Sequence, residues 1–258
     1  MSIDSIPIWV VFVATSLIVL ASIFAGFRLG LSAHRRSEEE KEAPISGVSG
    51  AVLALTAFML VFTFSLVAER YDARKALVRE EANAIRTTYL RADFMPEPDR
   101  AETKALLGTY TRLRLEFVRA NNIKYLGELQ IETDRIQRRL WNMAVSNAER
   151  DMNSDVAALY IESLNNVFEI HASRVAIGLQ LRIPIRVWVV LYGITILGMM
   201  SIGYHAGIAG SKWSQATLIL ALSFALMTTM IASLDRPGRS HVTQQPLVDV
   251  QGFIAAGK

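Results

Sequence analysis

GVSGAVLALTAFMLVFTFSLVAERYDARKALVREEANAIRTTYLRAD, residues 47–93, decides the fold: after Gly50 it holds neither proline nor glycine, so nothing in it tells a helix to stop. Between Glu42 and Glu69 the sequence carries no charge, and a bilayer core of roughly 30 Å takes about 20 residues to cross. From Glu69 to Arg91 it is charged, yet Tyr71, Val78, Ala82, Ile85 and Tyr89 keep helical spacing, the pattern of a helix with one buried face. The reading is a single helix that leaves the membrane and continues into water.

Within the uncharged half, Gly50, Ala54, Ala57, Val61, Ser65 and Ala68 recur at steps of three or four and form a small face. Small faces let membrane helices approach closely, since lipid supplies no hydrophobic drive between them. Leu55, Phe58, Met59, Phe62 and Leu66 are assigned to the other face. Two readings stand side by side: packing against neighbouring helices or lipid, and lining a pore as an apolar constriction that gates by dewetting.

Outward from this helix, the uncharged runs Ile6 to Phe27, Ala43 to Ala68, Val187 to Ser211 and Trp213 to Leu234 each meet the length criterion for a span. Trp9, Trp188 and Trp213 near their starts, and Tyr204 near the end of the third, suit interfacial anchors. The first run has no basic segment ahead of it and exceeds a typical signal-peptide core, so it is expected to stay as an anchor. The predicted fold is an all-α integral membrane protein with four transmembrane helices. Residues 1–68 form one hairpin (spans about 6–27 and 47–68), 69–186 a helical soluble domain inserted between the second and third spans, 187–234 a second hairpin, and 235–258 a tail.

Basic residues set the orientation. On the side of the termini and the inserted domain stand Arg70, Arg74, Lys75, Arg79, Arg174, Arg182, Arg186, Arg236 and Arg239; opposite them are Arg28, Arg35, Arg36, Lys41 and Lys212, diluted by Glu38, Glu39, Glu40 and Glu42. The termini and the domain are therefore expected in the cytoplasm.

In the inserted domain, Phe94-Met-Pro-Glu-Pro marks a turn and Pro98 is placed to open a helix. Leu106, Tyr110, Leu113 and Phe117 share one face, as do Leu129, Ile136, Leu140 and Ala144 of the next helix, with Trp141 alongside. Asn121-Asn122 separates the two helices. Ser154 is placed to cap a third, in which Val156, Tyr160, Leu164, Val167, His171 and Val175 repeat. Near the membrane, Arg70, Asp72, Arg74, Arg79, Glu80, Glu81 and Arg86 cluster, either as a vestibule charge ring for ions or as an ion-pair belt between subunits. Beyond the fourth span, Asp235-Arg-Pro-Gly-Arg reads as a turn, and Val242, Pro246, Leu247 and Val248 give the tail a face that can pack on the domain.

Much chemistry is missing. There is no cysteine, hence no disulfide, thiolate nucleophile or cysteine metal site. Neither a nucleophile elbow, a phosphate loop nor a His-Glu-x-x-His pair occurs, and His34, His171, His205 and His241 are scattered, so no catalytic residue, metal or cofactor is expected. His171, alone on an apolar face, reads as a core residue. A net charge of +3 is too mild to point to nucleic acid. Apart from His205, the four runs carry no ionisable group of the kind that pumps and ion-coupled transporters keep inside the membrane, which disfavours a transporter.

Three stretches, Phe62-Thr-Phe-Ser-Leu-Val-Ala-Glu-Arg-Tyr-Asp-Ala-Arg, Glu81-Ala-Asn-Ala-Ile-Arg-Thr-Thr-Tyr-Leu-Arg and Asp235-Arg-Pro-Gly, resemble a bacterial membrane family of unknown function with a bestrophin-like domain. The resemblance covers nearly the whole chain. It implies the architecture of bestrophins: homopentameric anion channels with four spans, cytosolic termini and the second helix of each subunit lining the pore. On that analogy Phe58, Phe62 and Ser65 are the pore-lining candidates, and Arg70, Arg74, Arg79 and Glu81 the charges of the inner vestibule. Bestrophins that respond to calcium carry an acidic cluster near the end of the fourth span; Asp235 stands almost alone there, against calcium gating. The function expected is passive conduction of an inorganic anion such as chloride by a homo-oligomer in lipid. The alternative is a non-conducting scaffold or sensor that binds a partner through its cytosolic helices.

Overall fold

The computed structural model describes residues 6–35, 42–120, 122–177, 182–210, 215–236 and 242–257. Arg36, Glu38 to Lys41, Asn121, Lys212, Trp213, Pro237-Gly-Arg239 and His241, all assigned roles above, lie outside the described residues. Among the described residues every regular element is a helix: α1 (Ile8–His34), α2 (Glu42–Arg91), α3 (Asp99–Arg119), α4 (Ile123–Arg150), α5 (Asp155–Val175), α6 (Ile185–Ile208), α7 (Gln215–Asp235) and α8 (Gln245–Ala255).

α2 is a single helix of 50 residues. At 1.5 Å per residue it is about 75 Å long, over twice the hydrocarbon thickness. Lipid forces its first half to bond its own backbone internally, and burial of one stripe holds the second half in the same geometry. A single 3₁₀ turn, Ala92–Phe94, ends it ahead of Pro96, and Pro98 stands at the start of α3. α1, the first part of α2, α6 and α7 are long and apolar enough to cross a membrane. The protein is thus an all-helical membrane protein with four such spans.

The chain divides into two compact units, Met1–Arg70 with Arg182–Arg236, and Tyr71–Leu181 with Pro237–Lys258. In the first, the membrane unit, Val19 and Ile23 of α1, Met199 of α6 and Ala221 of α7 form one apolar core, while Leu60 and Val67 of α2, Leu191 and Ile231 form another with Ile183. Polar side chains inside it find partners, as apolar surroundings demand. Thr15 Oγ1 and Tyr192 Oη share a hydrogen bond of 2.8 Å, Ser49 and Ser201 one of 2.7 Å, and Thr56 donates to Val52 O at 2.8 Å.

Close packing falls where α1 meets α6. Gly26 and Gly30 of α1 lie against backbone atoms of Met200 and Tyr204, and Gly203 and Gly207 of α6 against those of Ile23 and Phe27. A β-carbon on Gly207 would stand 3.0 Å from Gly30 Cα. Two Gly-x-x-x-Gly pairs thus face each other, and each removes the Cβ that would hold the backbones apart. A β-carbon on Gly198 would stand 2.9 Å from Thr56 Oγ1, whereas one on Gly193 would meet nothing within 4 Å.

The second, helical unit gathers Val78, Ile85 and Tyr89 of α2, Leu107 and Tyr110 of α3, Ile136 and Leu140 of α4, Tyr160 and Leu164 of α5, and Leu247 and Val250 of α8 around one core. Most are the positions that helical spacing selects. Val156 and Trp141 fall at the edge, 44 % and 39 % exposed. Ser154 caps α5, accepting from Ala157 N at 3.2 Å, and Asn122 caps α4, accepting from Lys124 N at 2.9 Å.

In an open helix interior, alanine gains about 1 kcal/mol over glycine. Gly203→Ala and Gly207→Ala should reverse that sign and lower the thermal midpoint of the detergent-solubilised protein, because their methyl groups meet backbone of α1. Gly193→Ala should leave it unchanged or raise it. Identical midpoints for all three in a heating series read by size exclusion would refute the close crossing.

Candidate functional site

The membrane half of α2 has one packed and one open side. Ser49, Thr56, Leu60, Thr63 and Val67 are buried in the protomer, at steps of seven, four, three and four. Gly50, Ala54, Ala57, Val61 and Ser65 are exposed, as are Leu55, Phe58 and Phe62. Here the sequence reading needs correction. The small residues do not seat α2 inside its own protomer; hydroxyl-bearing and branched residues do. Nor do Phe58 and Phe62 oppose the small residues, since at about 100° per residue Phe58 falls within the same arc as Ala54, Val61 and Ser65, with Phe62 at its edge. Phe58 is 65 % exposed and Phe62 57 %. The pore-lining candidates Phe58, Phe62 and Ser65 thus share one apolar, unpacked side of the protomer.

The charged candidates separate. Arg70 is half-buried, its Nη1 at 4.0 Å from Asp235 Oδ1, and the same carboxylate oxygen accepts from Ile183 N at 2.9 Å. Asp235 therefore ties the end of α7 to α2 and to the segment entering α6. In the sequence Asp235 opens a turn and stands as a lone acid beyond the fourth span; its tie is long-range and leaves no local signal. Arg74 is half-buried, while Arg79 is exposed beside Asp72, Lys75, Glu80 and Arg86.

Glu81 departs furthest from its expected place. Its side chain is fully buried inside the helical unit, so it presents no charge to an open vestibule. Arg114 Nε donates to Glu81 Oε1 at 2.8 Å, Tyr110 Oη donates to the same oxygen at 3.1 Å, and Arg174 Nη1 pairs with Oε2. Arg174 also donates to Gln244 Oε1 at 3.1 Å. One carboxylate thus links α2, α3 and α5, and Arg174 carries the link on to the residue before α8. Burial pulls the Arg174 guanidinium down to about 10, and burial pulls the Arg114 guanidinium downward too. Burial pushes the Tyr110 phenol up to about 12, so it remains a donor.

His171 packs near Tyr110, ring centroids 6.1 Å apart, with Nε2 at 3.4 Å from Gln130 Nε2. Burial first, then the neighbouring Arg114 charge, pull its imidazole down to about 4, so it is neutral in the folded unit. Among the described residues no group of His, Asp and Glu is arranged to hold a metal.

Four spanning helices, one of them continuing as the first helix of a second helical unit, define a class of membrane protein, and the comparisons name it. A bestrophin-like domain matches residues 8–247, and the chain belongs to the bestrophin-like family. Its fold is similar to that of a bacterial bestrophin homologue from Klebsiella pneumoniae, with a TM-score of 0.62 at 15 % identity over 95 % of this chain and 99 % of that one. A variant of that homologue matches equally, at 0.62 and 15 % over 96 % and 98 %. A crystallised variant of a membrane protein matches at 0.61 and 15 % over 97 % and 96 %. No curated protein matches the chain in sequence.

Removing one partner of a buried charge network costs about 3–5 kcal/mol. Glu81→Gln should destabilise the helical unit by that order, since it strands two guanidiniums, and Arg79→Gln by well under 1 kcal/mol; denaturant titration of helicity reads both. A second outcome concerns pH. The unfolded His171 takes a proton near 6.5 and the folded one near 4, so the unfolded chain binds more protons between these values and stability falls as pH drops through that window. The loss relative to neutral pH approaches about 3 kcal/mol as the pH reaches 4, and His171→Leu should not show it.

Proposed function

We propose that the chain is one protomer of a homo-oligomeric channel that conducts anions passively, with α2 of each protomer lining the pore. The observation that carries this reading is the open side of α2, where Phe58 and Phe62 stand exposed on a helix whose other side is packed. Exposed small and aromatic residues with no ionisable group are what a hydrophobic constriction that gates by dewetting requires. Membership of the bestrophin-like family supports the assignment. Arg70, Arg74 and Arg79 follow the apolar stretch along α2 and favour anions such as chloride in an inner vestibule. A ring of five protomers is the arrangement the family resemblance suggests. The excess of arginine and lysine at one set of span ends supports a cytoplasmic position for both termini and the helical unit, in the bacterial inner membrane.

The alternative reading is a non-conducting scaffold or sensor that binds a partner through its helical unit. The two readings diverge in a flux assay. Purified protein reconstituted in chloride-loaded liposomes should release chloride, and Phe62→Ala should raise the flux severalfold by widening the constriction. Tight liposomes with fully assembled protein would sink the channel reading.

A further inference from the structure

A cleft of about 450 Å³ opens on the helical unit between α4 and α5, within the roughly 300–1,000 Å³ typical of ligand sites. Phe168 lines it and packs against the apolar core, while Trp141 beside it stays 39 % exposed. The remaining side chains are polar and largely unengaged. Asp134 and Arg138 stand four residues apart on α4, the spacing at which a carboxylate and a guanidinium pair along a helix. Here they do not pair. Asp134 Oδ1 accepts from Gln130 Nε2 at 2.8 Å instead, and among the described residues Arg138 has no acidic partner. Asn142 and Asn165, on opposite walls, likewise have no hydrogen-bond partner among the described residues.

We propose that this cleft binds a guanine nucleoside, its base stacked on Trp141, its N1–H and amino donors at Asp134 and its O6 and N7 acceptors at Arg138. The charges of Asp134 and Arg138 cancel, so the cleft favours a neutral ligand that carries donors beside acceptors over a simple cation or anion. An indole left partly in water is a platform for a planar ring, and bases stack on aromatic side chains. A guanidinium reads guanine at O6 and N7, and an ionised carboxylate, which only accepts, must meet donors. Adenine reverses the match, turning its amino group to Arg138 and a bare ring nitrogen to Asp134. Asn142 and Asn165 are left for the ribose hydroxyls. The cleft belongs to the helical unit alone, so its ligand is independent of whether ions cross the membrane unit.

Equilibrium dialysis of the full-length, detergent-solubilised protein against labelled guanosine, adenosine and glucose tests this. Guanosine should bind about ten-fold more tightly than adenosine, the discrimination that a matched base edge gives, and glucose should not be retained. Trp141→Ala should weaken guanosine binding roughly ten-fold at unchanged helicity. Asp134→Asn should remove most of the preference over adenosine, and Ile131→Ala, exposed elsewhere on α4, should change nothing. In the unaltered protein, no retention of guanosine at millimolar concentration, or equal retention of guanosine and adenosine, would overturn the proposal whatever the variants do. Retention of glucose as strong as that of guanosine would overturn it in favour of a sugar site. Undiminished guanosine binding by a folded Trp141→Ala protein would also overturn it, since the nucleoside would then sit outside this cleft.

Discussion

A peptide backbone inside lipid has no water to bond to, and this constraint shapes α2 and through it the chain. With no proline and no glycine between Ala51 and Arg91, the helix has no reason to end where the hydrocarbon ends. It continues into the helical unit, where Val78, Ala82, Ile85 and Tyr89 bury a stripe against α3 and its neighbours. Two physically different forces act on one element, the solvent's refusal of bare amides and then the burial of an apolar face. Both ask for the same 3.6-residue repeat, so no seam shows in the geometry.

The two units are held by different means. In the membrane unit hydrophobic burial gains little, because lipid is as apolar as leucine, and the contacts that matter are close backbone approach and hydroxyl pairing. Gly26, Gly30, Gly203 and Gly207 supply the first; Thr15 with Tyr192 and Ser49 with Ser201 supply the second. In the helical unit an apolar core carries the packing, and Tyr110, Leu140 and Leu164 are completely buried. The charges of Glu81, Arg114 and Arg174 are then admitted to the interior only as a joined set.

Much of this fold was legible in the sequence because its signals are local. Run length marked the four spans, prolines marked the end of α2 and the start of α3, and Ser154 announced α5. The glycine crossing leaves a local signal too, in Gly26-x-x-x-Gly30 and Gly203-x-x-x-Gly207, but spacing alone does not say that the two pairs face each other. The faces of α2 misled for a physical reason. Small residues mark close approach to some helix, and composition does not say whether that helix belongs to the same protomer. Glu81 misled for another. A carboxylate at the edge of an acidic and basic run looks solvated, and its partners Arg114 and Arg174 lie 33 and 93 positions away. Asp235 was hidden in the same way, since the guanidinium it meets lies on α2 and the amide it accepts from lies just ahead of α6.

The single carboxylate at the heart of the helical unit makes the divergence of related sequences directional. Two cations depend on one anion, so a sequence can lose Arg114 or Arg174 first and still retain a neutral pair, whereas losing Glu81 first leaves like charges facing each other in a dry interior. Substitution histories that pass through an arginine are therefore open, and those that begin at the acid are closed. Relatives that have replaced this network by apolar residues are expected to have shed one guanidinium before the carboxylate.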